Sequence, residues 1–129
     1  MKITTFDPLI VSKKADDAVS FFEKIGFEKT HNPVTETLIG EVRSVRLKHP
    51  DGGYHVDVSD VASVPTDITY IRMNVDDFDA AYAILEKHGF TDLRGKDNTL
   101  ESGHSKEATM MISPSGYPIN LAEHIKKDN

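Results

Sequence analysis

Two segments of the chain carry apolar residues at the spacing of an amphipathic helix. Both follow the pattern i, i+3, i+4, i+7, which places the side chains on one helical face. These residues are Ala18, Phe21, Phe22 and Ile25 in the first segment and Phe78, Ala81, Tyr82 and Leu85 in the second. Aspartates precede each set, and Gly26 and Gly89 follow it, so the sequence predicts where both helices begin and end.

Shorter segments alternate between apolar and polar residues, as half-buried strands do. In ITYIRMNV, the two alternating sets are Ile71, Met73, Val75 and Tyr70, Arg72, Asn74. The segments SVRLK, YHVDV and PINLAE alternate in the same way. The turns PDGG and PSGY have the composition of tight hairpins. Each half of the chain therefore predicts a strand, a helix and then three strands.

This order of elements occurs twice at nearly one spacing. EKIGF at residues 23–27 returns as EKHGF at 86–90, 63 residues later, and HPDGG from His49 returns as SPSGY from Ser113. A period of this length indicates a duplicated small module. The predicted parts of this one structural domain are a first βαβββ module at 1–58, a linker at 59–67, a second βαβββ module at 68–124 and a tail at 125–129.

One stretch near the end of the chain has no periodicity. It reads GKDNTLESGHSK, at residues 95–106, and it predicts a mobile loop. His104 in this stretch is a candidate to close over a ligand, although a single histidine in a loop is more often simply exposed to solvent.

Composition limits the classes of function. The chain has 129 residues, 38% hydrophobic and 28% charged, which is typical of a globular domain. The absence of cysteine excludes disulfides and thiolate chemistry. A net charge of −6 argues against nucleic acid as a partner. No apolar run is long enough to predict a membrane span or a signal peptide, and we expect a cytoplasmic protein.

The second face of the predicted strands is polar, and two explanations fit it. The face is either solvated or lines a concave pocket that the two modules build together. The candidate pocket residues are Phe6, Arg46, His55, Asp57, Tyr70, Arg72 and Asn120. Arg46 and Arg72 can either clamp a carboxylate or phosphate or neutralise Asp57.

Three stretches resemble the vicinal oxygen chelate superfamily, which includes glyoxalase I, extradiol dioxygenases and bleomycin-resistance proteins. They are LIVSKKADDAVSFFEKIGF, YIRMNVDDFDAAYAILEKHGF and SPSGYPINLAEH. The resemblance implies an α+β fold in which two tandem βαβββ modules form a curled eight-stranded mixed sheet with the helices outside. It also implies a homodimer, with modules exchanged between chains in some members.

The metal-ligand positions of that superfamily fall on Phe6, Asp57, Tyr70 and Asn120 in this chain. A phenyl ring has no lone pair, tyrosine must lose its proton first, and asparagine is a weak neutral donor. Alternation turns Asp7 to the face opposite Phe6, which leaves Asp57 as the one good ligand. We therefore expect no metal cofactor, with a His55 and Asp57 pair as the alternative divalent site.

These residues leave two functions as candidates. The first is a metal-independent protein that binds a small molecule, as bleomycin-resistance members of the superfamily do. The second is an enzyme, a glyoxalase-type lyase or isomerase or another metal-dependent enzyme with a non-standard site. His55 and Asp57 are the catalytic candidates, because a histidine beside a carboxylate can act as a general base near neutral pH. Two residues side by side on a strand are also commonly just solvated.

Overall fold

The computed structural model describes residues 1–31, 34–37, 40–93, 95, 100–102 and 105–124. Two helices lie within these ranges, α1 (Ala15–Lys24) and α2 (Phe78–Lys87). The strands are β1 (Ile3–Ser12), β2 (Glu28–His31), β3 (Val34–Thr37), β4 (Gly40–Lys48), β5 (His55–Asp60), β6 (Ile68–Val75), β7 (Thr91–Asp92), β8 (Leu100–Ser102), β9 (Ser105–Ile112) and β10 (Pro118–His124).

The chain divides into two compact units. The first unit is Asp7–Thr69, and the second unit is Met1–Phe6 together with Tyr70–Asn129. Strand β1 therefore contributes residues to both. β5 ends at Asp60, so the predicted linker at 59–67 begins with two residues of strand.

The first unit packs helix α1 against one face of its strands. The strand order is β2–β4–β5–β1, in which β1 is parallel to β5 and β4 is antiparallel to it. The alternation predicted for SVRLK and YHVDV is confirmed, because the apolar positions are buried together with two residues of α1. This core consists of Ala15, Val19, Val45, Leu47, Val56 and Val58.

The second unit repeats this arrangement around helix α2. Its strand order is β6–β10–β9–β7, in which β10 is parallel to β6 and antiparallel to β9. All four residues of the predicted α2 stripe are buried, as are Met73 and Val75 of β6 and Ile119 and Leu121 of β10. The core consists of Met73, Val75, Phe78, Ala81, Tyr82, Leu85, Met111, Ile119 and Leu121, with Ile71 packed against it.

The predicted α+β fold class with a mixed sheet and duplicated modules is confirmed. The strand register shows the duplication directly: Leu9 is the partner of Asp57 in the first unit, and Arg72 is the partner of Asn120 in the second. Both partners are displaced by 63 residues between the two units. The predicted eight strands form the main path of the sheet, with three strands after each helix. Two further short strands lie off this path, where β3 pairs with β4 and β8 pairs with β9.

The buried face of α1 differs from the prediction. Phe21 and Ile25 are more than half exposed, whereas Ala15 and Val19 are buried. Ala18 and Phe22 pack against the same core. The helix begins at Ala15, so the i, i+3, i+4, i+7 face consists of residues 15, 18, 19 and 22 and starts three residues earlier than predicted. Phe21 and Ile25 are apolar but lie outside this face, which is why the sequence alone did not show which helical face is buried.

The prediction of a mobile loop at 95–106 is wrong for part of this stretch. Leu100–Ser102 form β8, and Ser105 and Lys106 open β9. His104, the candidate lid residue, lies outside the described residues. Within the described part of the chain, neither helix is long and apolar enough to cross a membrane.

The repeated EKIGF and EKHGF segments end the two helices on glycines with positive φ. Gly26 has φ 109° and Gly89 has φ 86°, a region that favours glycine. Each glycine also lies against its unit's hairpin turn. A Cβ on Gly26 would stand 2.7 Å from His49 Nε2, and one on Gly89 would stand 3.0 Å from Pro114 Cγ. The glycine is therefore needed both for the turn of the chain and for close packing.

We predict that Gly26→Ala lowers the free energy of unfolding by about 2 kcal/mol. The substitution imposes the cost of a positive φ and pushes the His49 ring aside. His49 stacks edge-on against Phe27 with ring centroids 5.1 Å apart, and its Nδ1 accepts a hydrogen bond from Asp51 N at 3.3 Å. Urea unfolding at neutral pH measures the loss.

Gly53→Ala is the matched control. Gly53 has φ 69°, but a Cβ there meets nothing within 4 Å, so this variant carries only the backbone cost of about 1 kcal/mol. Equal losses in the two variants would contradict a packing role for Gly26. The double variant Gly26→Ala, His49→Ala should recover part of the difference, because the ring is then absent.

Candidate functional site

The polar face of the first unit lies opposite helix α1. Leu9, Arg46 and Asp57 are register partners on β1, β4 and β5, so their side chains project from the same face. Asp57 is only 1% exposed. Strand alternation therefore buries a carboxylate on the side of the sheet that the helix does not cover.

Arg46 holds this carboxylate with two hydrogen bonds. Its Nε donates to Asp57 Oδ1 at 2.9 Å, and its Nη2 donates to Oδ2 at 3.0 Å. The hydrogen bond to Asp57 raises the pKa of Arg46, burial opposes this, and the charges of Asp57 and Asp7 raise it further. The geometry is the parallel, bidentate kind that arginine forms best. Of the two roles considered for Arg46, the structure shows the neutralisation of Asp57.

Asp7 was predicted on the wrong face of β1. Asp7 is 6% exposed and shares the buried face of Leu9, whereas Phe6 is 65% exposed. Ile10 packs against the helix-side core, whereas Val11 pairs with Ser59 on the polar side. The run LIV is apolar at three consecutive positions, so it carries no alternation from which to assign a face.

The centre of the polar face in the first unit is buried, not solvated. Asp7, Leu9, Asp57 and Ser59 are all buried on the side away from α1. Ser59 Oγ and Ser44 Oγ form a hydrogen bond of 2.8 Å across β4 and β5. His55, at the start of β5, is exposed. A general-base pair of His55 and Asp57 would therefore consist of an exposed imidazole and a carboxylate that already accepts hydrogen bonds from Arg46.

The second unit has its own polar face, made by β6 and β10. Tyr70, Asn74 and Asn120 are buried there, and Arg72 is half-buried. Arg72 Nε donates to Asn120 Oδ1 at 3.3 Å, and the two residues are register partners. Asn74 Oδ1 is buried and makes no hydrogen bond to any described residue. The sequence placed Tyr70, Arg72 and Asn120 in the candidate site but passed over Asn74.

The positions that the resemblance assigns to metal ligands do not fit a divalent cation. The oxygens of Asp57 point to the guanidinium of Arg46, and Asn120 Oδ1 accepts from Arg72, so a cation at either would meet a positive charge. The 63-residue offset makes Asp7, not Phe6, the counterpart of Tyr70, so the corrected set contains a second carboxylate. Over the described ranges, no three His, Asp or Glu residues converge as metal ligands would.

A groove on the helix side of the first unit was not predicted. It has a volume of about 460 Å³ and is lined by Ile10, Lys13, Lys14, Asp17, Ala18, Phe21, Phe22 and Asp67. Phe21, predicted to be in the core, forms part of this surface. The lining carries two lysines and two aspartates, so its charges balance.

Several solved structures have the same fold. A variant of Streptomyces coelicolor methylmalonyl-CoA epimerase in complex with 2-nitronate-propionyl-CoA is 21% identical, covering 97% of this chain and 100% of that one, with a TM-score of 0.65. A methylmalonyl-CoA epimerase in complex with methylmalonyl-CoA and NH4+ is 22% identical, covering 95% of both chains, with a TM-score of 0.64. A glyoxalase I variant from Zea mays is 16% identical over 98% of this chain and 45% of that one, with a TM-score of 0.65.

No family model and no curated protein matches the chain. The structural likeness nevertheless confirms the expected architecture, because the epimerase and glyoxalase I are both vicinal oxygen chelate proteins. The chain thus has the fold of the vicinal oxygen chelate (glyoxalase/bleomycin resistance) superfamily. A fold of this kind hosts many activities, so the chemistry has to be argued from the site.

We predict that Arg46→Leu lowers the free energy of unfolding by about 3 kcal/mol at neutral pH, because the variant buries the Asp57 carboxylate without its cation. The loss should shrink under acidic conditions, where a protonated carboxyl is cheaper to bury. Urea unfolding at neutral and acidic pH tests both statements.

Two controls accompany this measurement. Arg43→Leu removes an exposed pair, in which Arg43 Nη2 lies 3.1 Å from Asp16 Oδ1, and should cost less than about 1 kcal/mol. The double variant Arg46→Leu, Asp57→Leu should regain most of the loss, since apolar residues commonly replace a buried ion pair well. A double variant as unstable as Arg46→Leu alone would show that the loss does not come from the stranded charge.

Proposed function

We propose that this protein binds a small molecule without a metal ion, in the manner of bleomycin-resistance members of the superfamily. One observation carries the proposal: Arg46 donates to both oxygens of Asp57, which is one of two carboxylates at the family's ligand positions once Asp7 replaces Phe6. The Lewis-acid chemistry of glyoxalase-type enzymes needs a carboxylate that faces the metal instead.

The polar faces support a role in binding. Buried polar groups such as Asp57, Ser59 and Asn120 cost free energy to desolvate and contribute little to a core, so a sheet that carries them on one face is suited to orienting a ligand. Proteins of the same fold bind small molecules, since the epimerase structures contain coenzyme A derivatives. The proposal also includes a homodimer in the cytoplasm, as the resemblance and the composition suggest.

A second candidate function is enzymatic, and Asp7 favours it. This second buried carboxylate lies near enough to Arg46 for its charge to raise the pKa of the guanidinium. Arg46 therefore interacts with two acids. A buried carboxylate near a guanidinium can serve as a general base for proton abstraction, the chemistry of an isomerase or lyase. This candidate depends on Asp7, whereas the metal-dependent version depends on Asp57.

Our prediction for the metal test is that Tm does not change. Protein stripped with EDTA is unfolded thermally with and without Zn2+, Ni2+, Mn2+, Fe2+ or Co2+. A bound metal at 100 times its Kd would add about 2.7 kcal/mol, a shift of several degrees in a domain of this size. We expect no such shift, because the oxygens of Asp57 already accept hydrogen bonds from Arg46.

A clear rise with one metal, lost in Asp57→Asn, would overturn the binding proposal and favour the enzyme. Asp57→Asn keeps the shape of the side chain but removes the charge, and Asp16→Asn is the surface control for a lost carboxylate. The same assay is then run with cationic drugs and aromatic metabolites, in which a binding protein should show a rise that EDTA does not remove.

A further inference from the structure

Asn74 is the polar side chain that the fold leaves unexplained. It lies on β6 with 3% of its surface exposed, and its Oδ1 accepts no hydrogen bond from any residue in the described part of the chain. An acceptor buried in this way loses its bonds to water and gains nothing in return. Such a group in a folded protein calls for a partner beyond the residues that the structure describes.

The first unit shows that the sheet does not require an asparagine at the position equivalent to Asn74. Asn74 pairs with Ala122, and the same 63-residue offset makes Val11, which pairs with Ser59, its counterpart. Valine has nearly the volume of asparagine and no polar atoms in its side chain. The fold therefore accepts an apolar residue here, and the second unit carries a polar one at a cost in stability.

The neighbours of Asn74 on its face are small or already paired. Its cross-strand neighbour Ala122 has the smallest side chain after glycine, and Asn120 and Arg72 lie on the same face one step along their strands. Arg72 donates to Asn120, so the amide oxygen of Asn120 is engaged, whereas that of Asn74 accepts nothing from these neighbours. Asn74 Oδ1 is therefore the acceptor on this face that is left for a ligand.

We propose that Asn74 marks a subsite that accepts a hydrogen bond from a neutral N–H or O–H group of the ligand. The donor is neutral because the guanidinium of Arg72, two residues away on the same face of β6, would repel a cation. An amide or an alcohol satisfies this requirement. The subsite rests on the proposed function, since it names the chemical class of the molecule that the protein binds.

The first experiment compares Asn74→Val with the wild type in the absence of ligand. Removal of a buried, unsatisfied acceptor should raise Tm by about 3 °C or more, because the variant no longer carries the cost of desolvating the amide oxygen. Val11→Asn is the reciprocal control and should lower Tm by a smaller amount, because Val11 is only half-buried. A fall in Tm for Asn74→Val would overturn the proposal, because Asn74 would then be supporting the fold itself.

The second experiment uses two nearly isosteric probes, N-methylacetamide, which has one N–H, and N,N-dimethylacetamide, which has none. Each is titrated into the 15N-labelled full-length protein while the backbone amide signals of β6 and β10 are followed. N-methylacetamide should shift the signals around Asn74 at least about fivefold more than the dimethyl compound does. Asn74→Val should abolish the difference between the two.

Three results would overturn the subsite. They are no shift near Asn74 with either probe, equal shifts with both, or a difference that persists in Asn74→Val. The titration is repeated with EDTA and with each metal of the thermal assay. Selective binding that appears only with a metal would leave the subsite standing but reject the metal-independent function. Selective binding with EDTA supports both.

Discussion

Each helix can cover only one face of its strands, and the rest of the structure follows from this constraint. In the first unit, α1 packs against Val45, Leu47, Val56 and Val58, which uses all the apolar residues that alternate along β4 and β5. The remaining face must take the intervening residues, which are polar. Burying these residues is tolerable only where they are paired, and the bidentate contact between Arg46 and Asp57 is the clearest case.

Sequence patterns identified the parts of the fold in which one physical rule acts alone. The α2 stripe, the alternation of β6 and the glycine turns were all predictable, because burial, alternation and positive φ each leave a direct mark. The α1 face and the side of Asp7 were not, because the apolar run LIV and the apolar residues Phe21 and Ile25 satisfy more than one register. Burial resolves the face of α1, and the pairing of Leu9 with Asp57 resolves that of β1.

The candidate site was predictable as a set of residues but not as a set of contacts. Asp57, Arg46, Tyr70 and Asn120 all lie on the polar faces expected of them. The sequence left two roles open for Arg46, since an arginine near an aspartate can bind either that aspartate or a ligand. A distance of 2.9 Å settles this for Asp57. Alternation placed Asn74 on the face of Tyr70 and Arg72, but no pattern in the sequence showed that its Oδ1 would be buried without a donor among the described residues.

Duplication has kept the backbone and changed the chemistry. Asp57 and Asn120 occupy equivalent register positions, but the arginine that binds each comes from a different strand, β4 for Asp57 and β6 for Asn120. A site that used both halves equally would need the same donors twice. Here one half holds a carboxylate by a bidentate ion pair, whereas in the other an arginine donates to an amide oxygen at 3.3 Å and Asn74 Oδ1 accepts no bond from any described residue. The Asp57 carboxylate is already engaged, so in the proposed function the second half takes the larger part in recognising the ligand.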